Sequence, residues 1–172
     1  MNRSHTMETI QIVGYKNSGK TTTAIKLIEK FSQRGIQVAS LKHHGHGGIP
    51  LGLENKDSFK HQQAGAMISG VEGEGILQLA KRKAWSLEQI LAIYEIFGVD
   101  LLILEGFKRE HYQKVVLINK EEDLILLDET TNILAVISSI PVKSSSYITF
   151  NTYELQDFCD WMLQWYKNKA IR

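Results

Sequence analysis

Two hydrophobic rhythms alternate along the chain. The first is a short unbroken apolar run. Leu101-Leu102-Ile103-Leu104, Val115-Val116-Leu117-Ile118 and Ile133-Leu134-Ala135-Val136-Ile137 lack the alternation of a half-exposed strand, which predicts strands buried on both faces. Residues 10–13 and 36–41 read as two further strands, the first stopping at Gly14. The second rhythm is helical. Ala24, Leu27, Ile28 and Phe31 put one stripe on a helix over 20–34, which Gly35 ends. Ser86 with Gln89 is a capping-box pattern ahead of a stripe at Leu87, Ile90, Leu91 and Tyr94, stopped by Gly98. Leu155, Phe158, Met162 and Trp165 predict a last helix over 153–169. Asp57-Ser58 can open a short helix over 57–64, and residues 66–70 and 76–80 are weaker strands on either side of a Gly73-Glu74-Gly75 turn. Doubly buried strands alternating with helices predict an α/β domain with a mostly parallel sheet and helices on both faces.

Composition narrows the picture without changing it. At 172 residues the chain is expected to form a single domain over 1–172, with residues 1–6 a leader or expression remnant ahead of Met7. Apolar residues at 43% and charged residues at 23% exclude a disordered tail and a coiled-coil rod. A net charge of +1 argues against a dedicated nucleic-acid binder. A single cysteine, Cys159, excludes an internal disulfide and a cysteine-based zinc site, and it reads as a packing residue. No run approaches the length of a membrane span, so a soluble cytoplasmic protein without a membrane partner is the expectation.

The strongest chemical signal follows the first strand. Gly14-Tyr15-Lys16-Asn17-Ser18-Gly19-Lys20-Thr21 fits the phosphate-loop pattern G-x-x-x-x-G-K-[ST] without mismatch, with a strand before it and a helix after it. Glycine lets main-chain amides wrap closely around phosphate oxygens, and the helix dipole adds to the attraction. Lys16, Asn17, Ser18, Gly19 and Thr22 would supply loop and first-turn amides. Lys20 would bridge the β- and γ-phosphates, and Thr21 would place its hydroxyl on Mg²⁺. The fold expected is therefore the three-layer sandwich of P-loop nucleotide-binding proteins.

A parallel sheet binds ligands at the carboxyl ends of its strands. The 101–104 run ends in Glu105-Gly106, a Walker B-like arrangement. Asp100 stands at the opposite end of that strand, about 16 Å away, so Glu105 and not Asp100 can reach the metal near Thr21. Glu105 would hold Mg²⁺ through water or orient the attacking water, unless it is only a surface acid. The 36–41 strand delivers Lys42 and His43 to the same edge, where they can touch phosphate. His43, His44 and His46 lie in a glycine-rich stretch that reads either as a polar loop or as a transition-metal site. Asp57 either reaches back toward Mg²⁺ or simply caps its helix. Lys108 and Arg109 either neutralise phosphate, on the nucleotide or on a second phosphorylated ligand, or are solvated loop charges. Asn119-Lys120-Glu121-Glu122-Asp123 has one residue too many for the guanine-reading Asn-Lys-x-Asp pattern, and Ser138-Ser139 can present amides near a purine edge only as a weak reading.

Taken together these motifs resemble the molybdopterin-guanine dinucleotide biosynthesis adaptor (MobB) family. The resemblance rests on Asn17-Ser18-Gly19-Lys20-Thr21-Thr22, on Lys42-His43, on Asp57-Ser58 with Ala64-Gly65-Ala66, on the stretch from Asp100 to Glu105-Gly106-Phe107-Lys108, and on Lys114-Val115-Val116-Leu117. It covers most of the chain, and the order of all five is more specific than the phosphate loop alone. It implies a homodimeric GTP-binding protein with weak hydrolysis, using Mg²⁺, that helps a MobA-like molybdenum cofactor guanylyltransferase attach GMP to molybdopterin, itself a further candidate ligand. It also implies that Lys20 and Thr21 serve phosphate and Mg²⁺, with Glu105 at the end of the Walker B-like strand. Two alternatives stand beside it. One is a metallochaperone GTPase using His43, His44 and His46. The other is a small-molecule kinase, which would want an arginine-rich lid where the middle of this chain has only Arg82 and Arg109.

Overall fold

A computed structural model describes residues 7–43, 57–81, 83–143 and 146–170. The chain divides into two compact units, one of Met1–His43 with Tyr94–Arg172, the other of His44–Ile93.

The larger unit is built on six parallel strands: β1 (Glu8–Val13), β2 (Val38–Lys42), β5 (Leu101–Glu105), β6 (Gln113–Ile118), β7 (Ile133–Ser138) and β8 (Ile148–Asn151). Their order across the sheet is β2-β5-β1-β6-β7-β8. β1 thus lies in the middle, with Ile12 opposite Glu105 on one side and Val115 on the other. This is why the unbroken apolar runs read correctly. Every residue of β5 is buried, and so is all of β6 after Gln113.

One face of the sheet is covered by α1 (Lys20–Ser32) and α5 (Leu155–Ala170). Ala24, Leu27 and Phe31 of α1 and Phe158, Cys159, Met162 and Leu163 of α5 close over Ile10, Ile12, Leu101, Ile103, Val115 and Leu117. The Phe31 and Tyr166 rings meet edge to face at 5.5 Å. The opposite face carries Val116, Ile118 and Val136 under Leu126 of α4 (Ile125–Glu129). Helices therefore lie on both faces of a parallel sheet, as the sequence predicts. The last helix begins at Leu155 rather than Tyr153 because Asn151 ends β8 and caps a short turn. Its side chain accepts the Tyr153 amide at 3.3 Å, while Glu154 accepts the Asn151 amide at 2.7 Å. β8, α4 and the turn before it are elements the apolar pattern does not reveal.

The smaller unit contains α2 (Asp57–Gln63) and the antiparallel hairpin of β3 (Ile68–Gly73) and β4 (Ile76–Lys81), joined at Glu74–Gly75. The Gln62 side chain donates to the Ala80 carbonyl at 2.5 Å and ties the helix to the hairpin. α3 (Leu87–Ile96) follows. Its Ser86 start forms the expected box, with the Gln89 amide 3.3 Å from Ser86 Oγ. Among the described residues no helix is long and apolar enough to cross a membrane.

Candidate functional site

The loop between β1 and α1 turns because two residues take left-handed backbone angles, Asn17 at φ 62° and Gly19 at φ 93°. Gly14 is required by space. A Cβ there would stand 2.3 Å from Ser18 Oγ and 3.2 Å from Leu117 Cβ. Ser18 is 6% exposed, and its hydroxyl is buried without a hydrogen-bond partner. A buried, unpartnered donor inside a loop of exposed amides is a group left for a ligand. Lys16, Asn17, Thr21 and Thr22 are exposed around it. The Lys20 ammonium reaches back across the loop to donate to the Tyr15 carbonyl at 2.5 Å. Burial holds it below the ordinary lysine value, Lys42 and Lys108 push the same way, and Glu105 opposes them.

The end of β5 meets the first turn of α1. Thr21 Oγ1 donates to the Glu105 carboxylate, 3.1 Å from one oxygen and 3.2 Å from the other. Lys42, at the end of β2, brings its ammonium to 2.7 Å from Glu105 Oε1 and 3.3 Å from Thr21 Oγ1. The Glu105 side chain is 11% exposed and that of Lys42 is 63% exposed, so the carboxylate is fixed while the ammonium is free to swing out. A hydroxyl and a carboxylate side by side are the hard oxygen donors that Mg²⁺ selects, and they fit it once Lys42 moves aside. His43 is tied in through its main chain, its amide donating to the Glu105 carbonyl at 2.9 Å, and its ring lies 4.9 Å from that of Phe107. Gly106 (φ 92°) backs onto His43, whose Cβ would be 3.3 Å from an added side chain.

The structure thus brings Lys20, Thr21, Lys42, His43 and Glu105 to one edge of the larger unit. Asp57 belongs to the smaller unit, where it opens α2, 87% exposed, and pairs with Lys60 at 2.8 Å. His44, His46 and Arg82 lie outside the described residues. Among those described, no three of His, Cys, Asp and Glu gather as a metal cluster. Asp123 turns inward to accept the Asn119 and Lys120 amides at 2.9 and 3.3 Å. The Ser139 amide is taken by the Ile118 carbonyl at 2.9 Å, so it is engaged within the sheet edge.

One residue escaped the sequence reading. Gln11, fully buried in the centre of β1, bonds the loop after β5 through both ends of its amide. The only signal for it is a polar residue inside an apolar strand.

A central strand running into a glycine-bounded loop, a helix N-terminal lysine and threonine, and an acid from the neighbouring strand define a P-loop nucleotide-binding fold. The family described as "Molybdopterin guanine dinucleotide synthesis protein B" matches residues 9–139. The chain belongs to that MobB family. It is 45% identical over 129 residues, 74% of each chain, to a "Probable molybdopterin-guanine dinucleotide biosynthesis adapter protein" of Bacillus subtilis (strain 168). It is 31% identical over 134 residues to the corresponding adapter protein of Haemophilus influenzae, covering 77% of this chain and 75% of that one. Among solved structures it is similar to Bacillus subtilis MobB, with a TM-score of 0.79 at 36% identity over 92% of this chain and 97% of that one. It also resembles a MobB homolog from Bacillus stearothermophilus, with a TM-score of 0.77 at 33% identity over 94% and 99% of the two chains.

Proposed function

We propose that this protein binds GTP with Mg²⁺ at the 14–22 loop, hydrolyses it slowly, and acts as an adaptor for a MobA-like guanylyltransferase that attaches GMP to molybdopterin. The observation that carries this reading is the contact between the Thr21 hydroxyl and the Glu105 carboxylate beside Lys20. Lys20 would exchange the Tyr15 carbonyl for phosphate oxygens, and the Ser18 hydroxyl and loop amides would complete the cradle. Thr21 and Glu105 would hold Mg²⁺, which when bound supplies charge neutralisation on the phosphates. Lys42, released from Glu105, would face the same phosphates together with His43. Positioning supplies most of phosphoryl-transfer catalysis, and slow turnover suits holding and handing over a nucleotide.

The smaller unit supports a homodimer. Ile68, Leu77 and Leu79 lie on one face of the hairpin and Val71 and Ile76 on the other, all at least 43% exposed. A two-stranded sheet is marginal by itself, and apolar patches of this kind mark interfaces. A second copy of the hairpin is self-complementary to its open edges. The adaptor role fits a cytoplasmic setting.

The test is titration of the full chain with GTP and ATP, with and without Mg²⁺. We expect GTP to bind more tightly when Mg²⁺ is present, and Lys20→Ala to weaken it on the order of a hundredfold. Glu105→Gln is expected to slow hydrolysis more than it weakens binding. Equal affinity of Lys20→Ala and the parent protein for both nucleotides would overturn the assignment.

A further inference from the structure

The loop from β5 to β6, residues 106–112, is clamped by its main chain and leaves its cations unpaired. The fully buried Gln11 donates to the Phe107 carbonyl at 2.6 Å and accepts the Tyr112 amide at 3.1 Å. The fully buried Lys114 donates to the Tyr112 carbonyl at 3.0 Å and the Thr131 carbonyl at 3.1 Å. The Asn132 side chain donates to the His111 carbonyl at 2.6 Å. Phe107 itself sits at φ 55°, a left-handed angle a bulky side chain rarely adopts and which these bonds hold in place. Burying a lysine is costly, and here burial pulls its ammonium below the ordinary value while the Glu110 carboxylate opposes the shift. A loop that merely connected two strands would need none of this.

The clamped backbone presents Lys108, Arg109 and His111. All three are exposed, and among the described residues none forms an ion pair. Lys108 lies 4.5 Å over the ring of Tyr15 in the 14–22 loop, so this wall adjoins that loop. The three residues line an open cleft of about 350 Å³ together with Leu126, Glu129, Thr130 and Thr131. That volume suits a small ligand. A guanidinium fork beside an ammonium matches the oxygens of a phosphate dianion, and threonine hydroxyls can add donors. Leu126, almost fully buried, only floors the cleft, whereas Glu129 offers an acceptor suited to an organic group attached to the phosphate and not to a bare polyanion.

We propose that this cleft is a second anion site, which takes the phosphate monoester of a ligand other than the nucleotide. None of these side chains is among those assigned above to the nucleotide, but Lys108 adjoins that loop through Tyr15, so the test disables the loop first.

The test is an NMR titration of the full-length Lys20→Ala protein, whose 14–22 loop no longer holds phosphate, with phenyl phosphate and with inorganic phosphate. Lys20→Met serves if the alanine variant does not fold. Phenyl phosphate is expected to shift the Arg109 side-chain and His111 ring signals saturably, and to bind more tightly than inorganic phosphate. Adding Arg109→Ala, an exposed position, should weaken that binding about tenfold. Unmoved signals, unchanged affinity in the Arg109→Ala protein, or equal binding of the two probes would overturn the proposal.

Discussion

In the larger unit Leu101, Leu102, Ile103 and Leu104 are wholly enclosed, whereas in the smaller unit Ile76, Leu77 and Leu79 stand 59–72% exposed. Both stretches are rich in large apolar residues as sequence, broken in the second only by Gln78. The difference is what covers them. A parallel strand receives helices on both faces from its own crossovers. A hairpin brings no such cover, so its apolar side chains are left for another surface. One unit covers its own apolar strands, and the hairpin of the other leaves its apolar residues exposed.

Four measurements would break or sharpen that contrast. The largest effect is expected from truncating the enclosed layer. Phe158→Ala should cost about 3 to 5 kcal/mol in urea unfolding, against less than about 1 kcal/mol for Leu79→Ala in dissociated chains. Comparable losses would erase the distinction. Next comes Cys159, in the same layer. Burial raises its thiol from 9.0 to about 11, so the folded protein keeps a proton that the unfolded chain releases. That contribution is complete below pH 9 and is lost as pH rises through 11. Relative to Cys159→Ala, the parent protein should lose about 2 to 3 kcal/mol across that window. A flat difference would mean the layer admits water.

Gln11→Ala should cost about 2 kcal/mol and speed hydrogen exchange at the Tyr112 amide, because three main-chain bonds to the 106–112 loop lose their partner. Slow exchange in the variant would show that Lys114 and Asn132 suffice. The smallest stability change is expected from Leu77→Glu with Leu79→Glu, within about 0.5 kcal/mol for the larger unit. Light scattering should nevertheless show the molecular mass falling by half, and a mass unchanged from the parent protein would remove the case for self-association through the hairpin.

What could be read from the sequence follows the same division. β5, β6 and β7 were legible because burial on both faces writes itself as an unbroken apolar run, and β1 as a short β-branched run stopping at Gly14. The phosphate loop was legible because its chemistry is local, with Gly14, Gly19, Lys20 and Thr21 adjacent in the chain. Glu105 was legible as the acid ending a buried strand. β8 was not, since Ile148–Asn151 is short, half polar and defined only by pairing with β7. α4 was masked by the acids around it, which drew attention to a guanine-reading pattern that Asp123 instead spends on capping its own turn. Gln11 shows only as a polar residue inside an apolar strand, and neither it nor Lys114 reveals its partners, which are main-chain atoms that the fold alone brings over them.

The position of β1 has one more consequence, for the order of events on the ribosome. β1 sits in the middle of the sheet, and its neighbours are encoded roughly ninety residues later for β5 and roughly a hundred for β6. At about 5 to 20 residues per second, the nascent chain must keep Ile10, Ile12 and Val13 from sticking elsewhere for roughly 5 to 20 s before Leu101–Glu105 and Gln113–Ile118 emerge. Such a chain cannot close its sheet piecemeal during synthesis, and it is a natural client for factors that shield emerging strands.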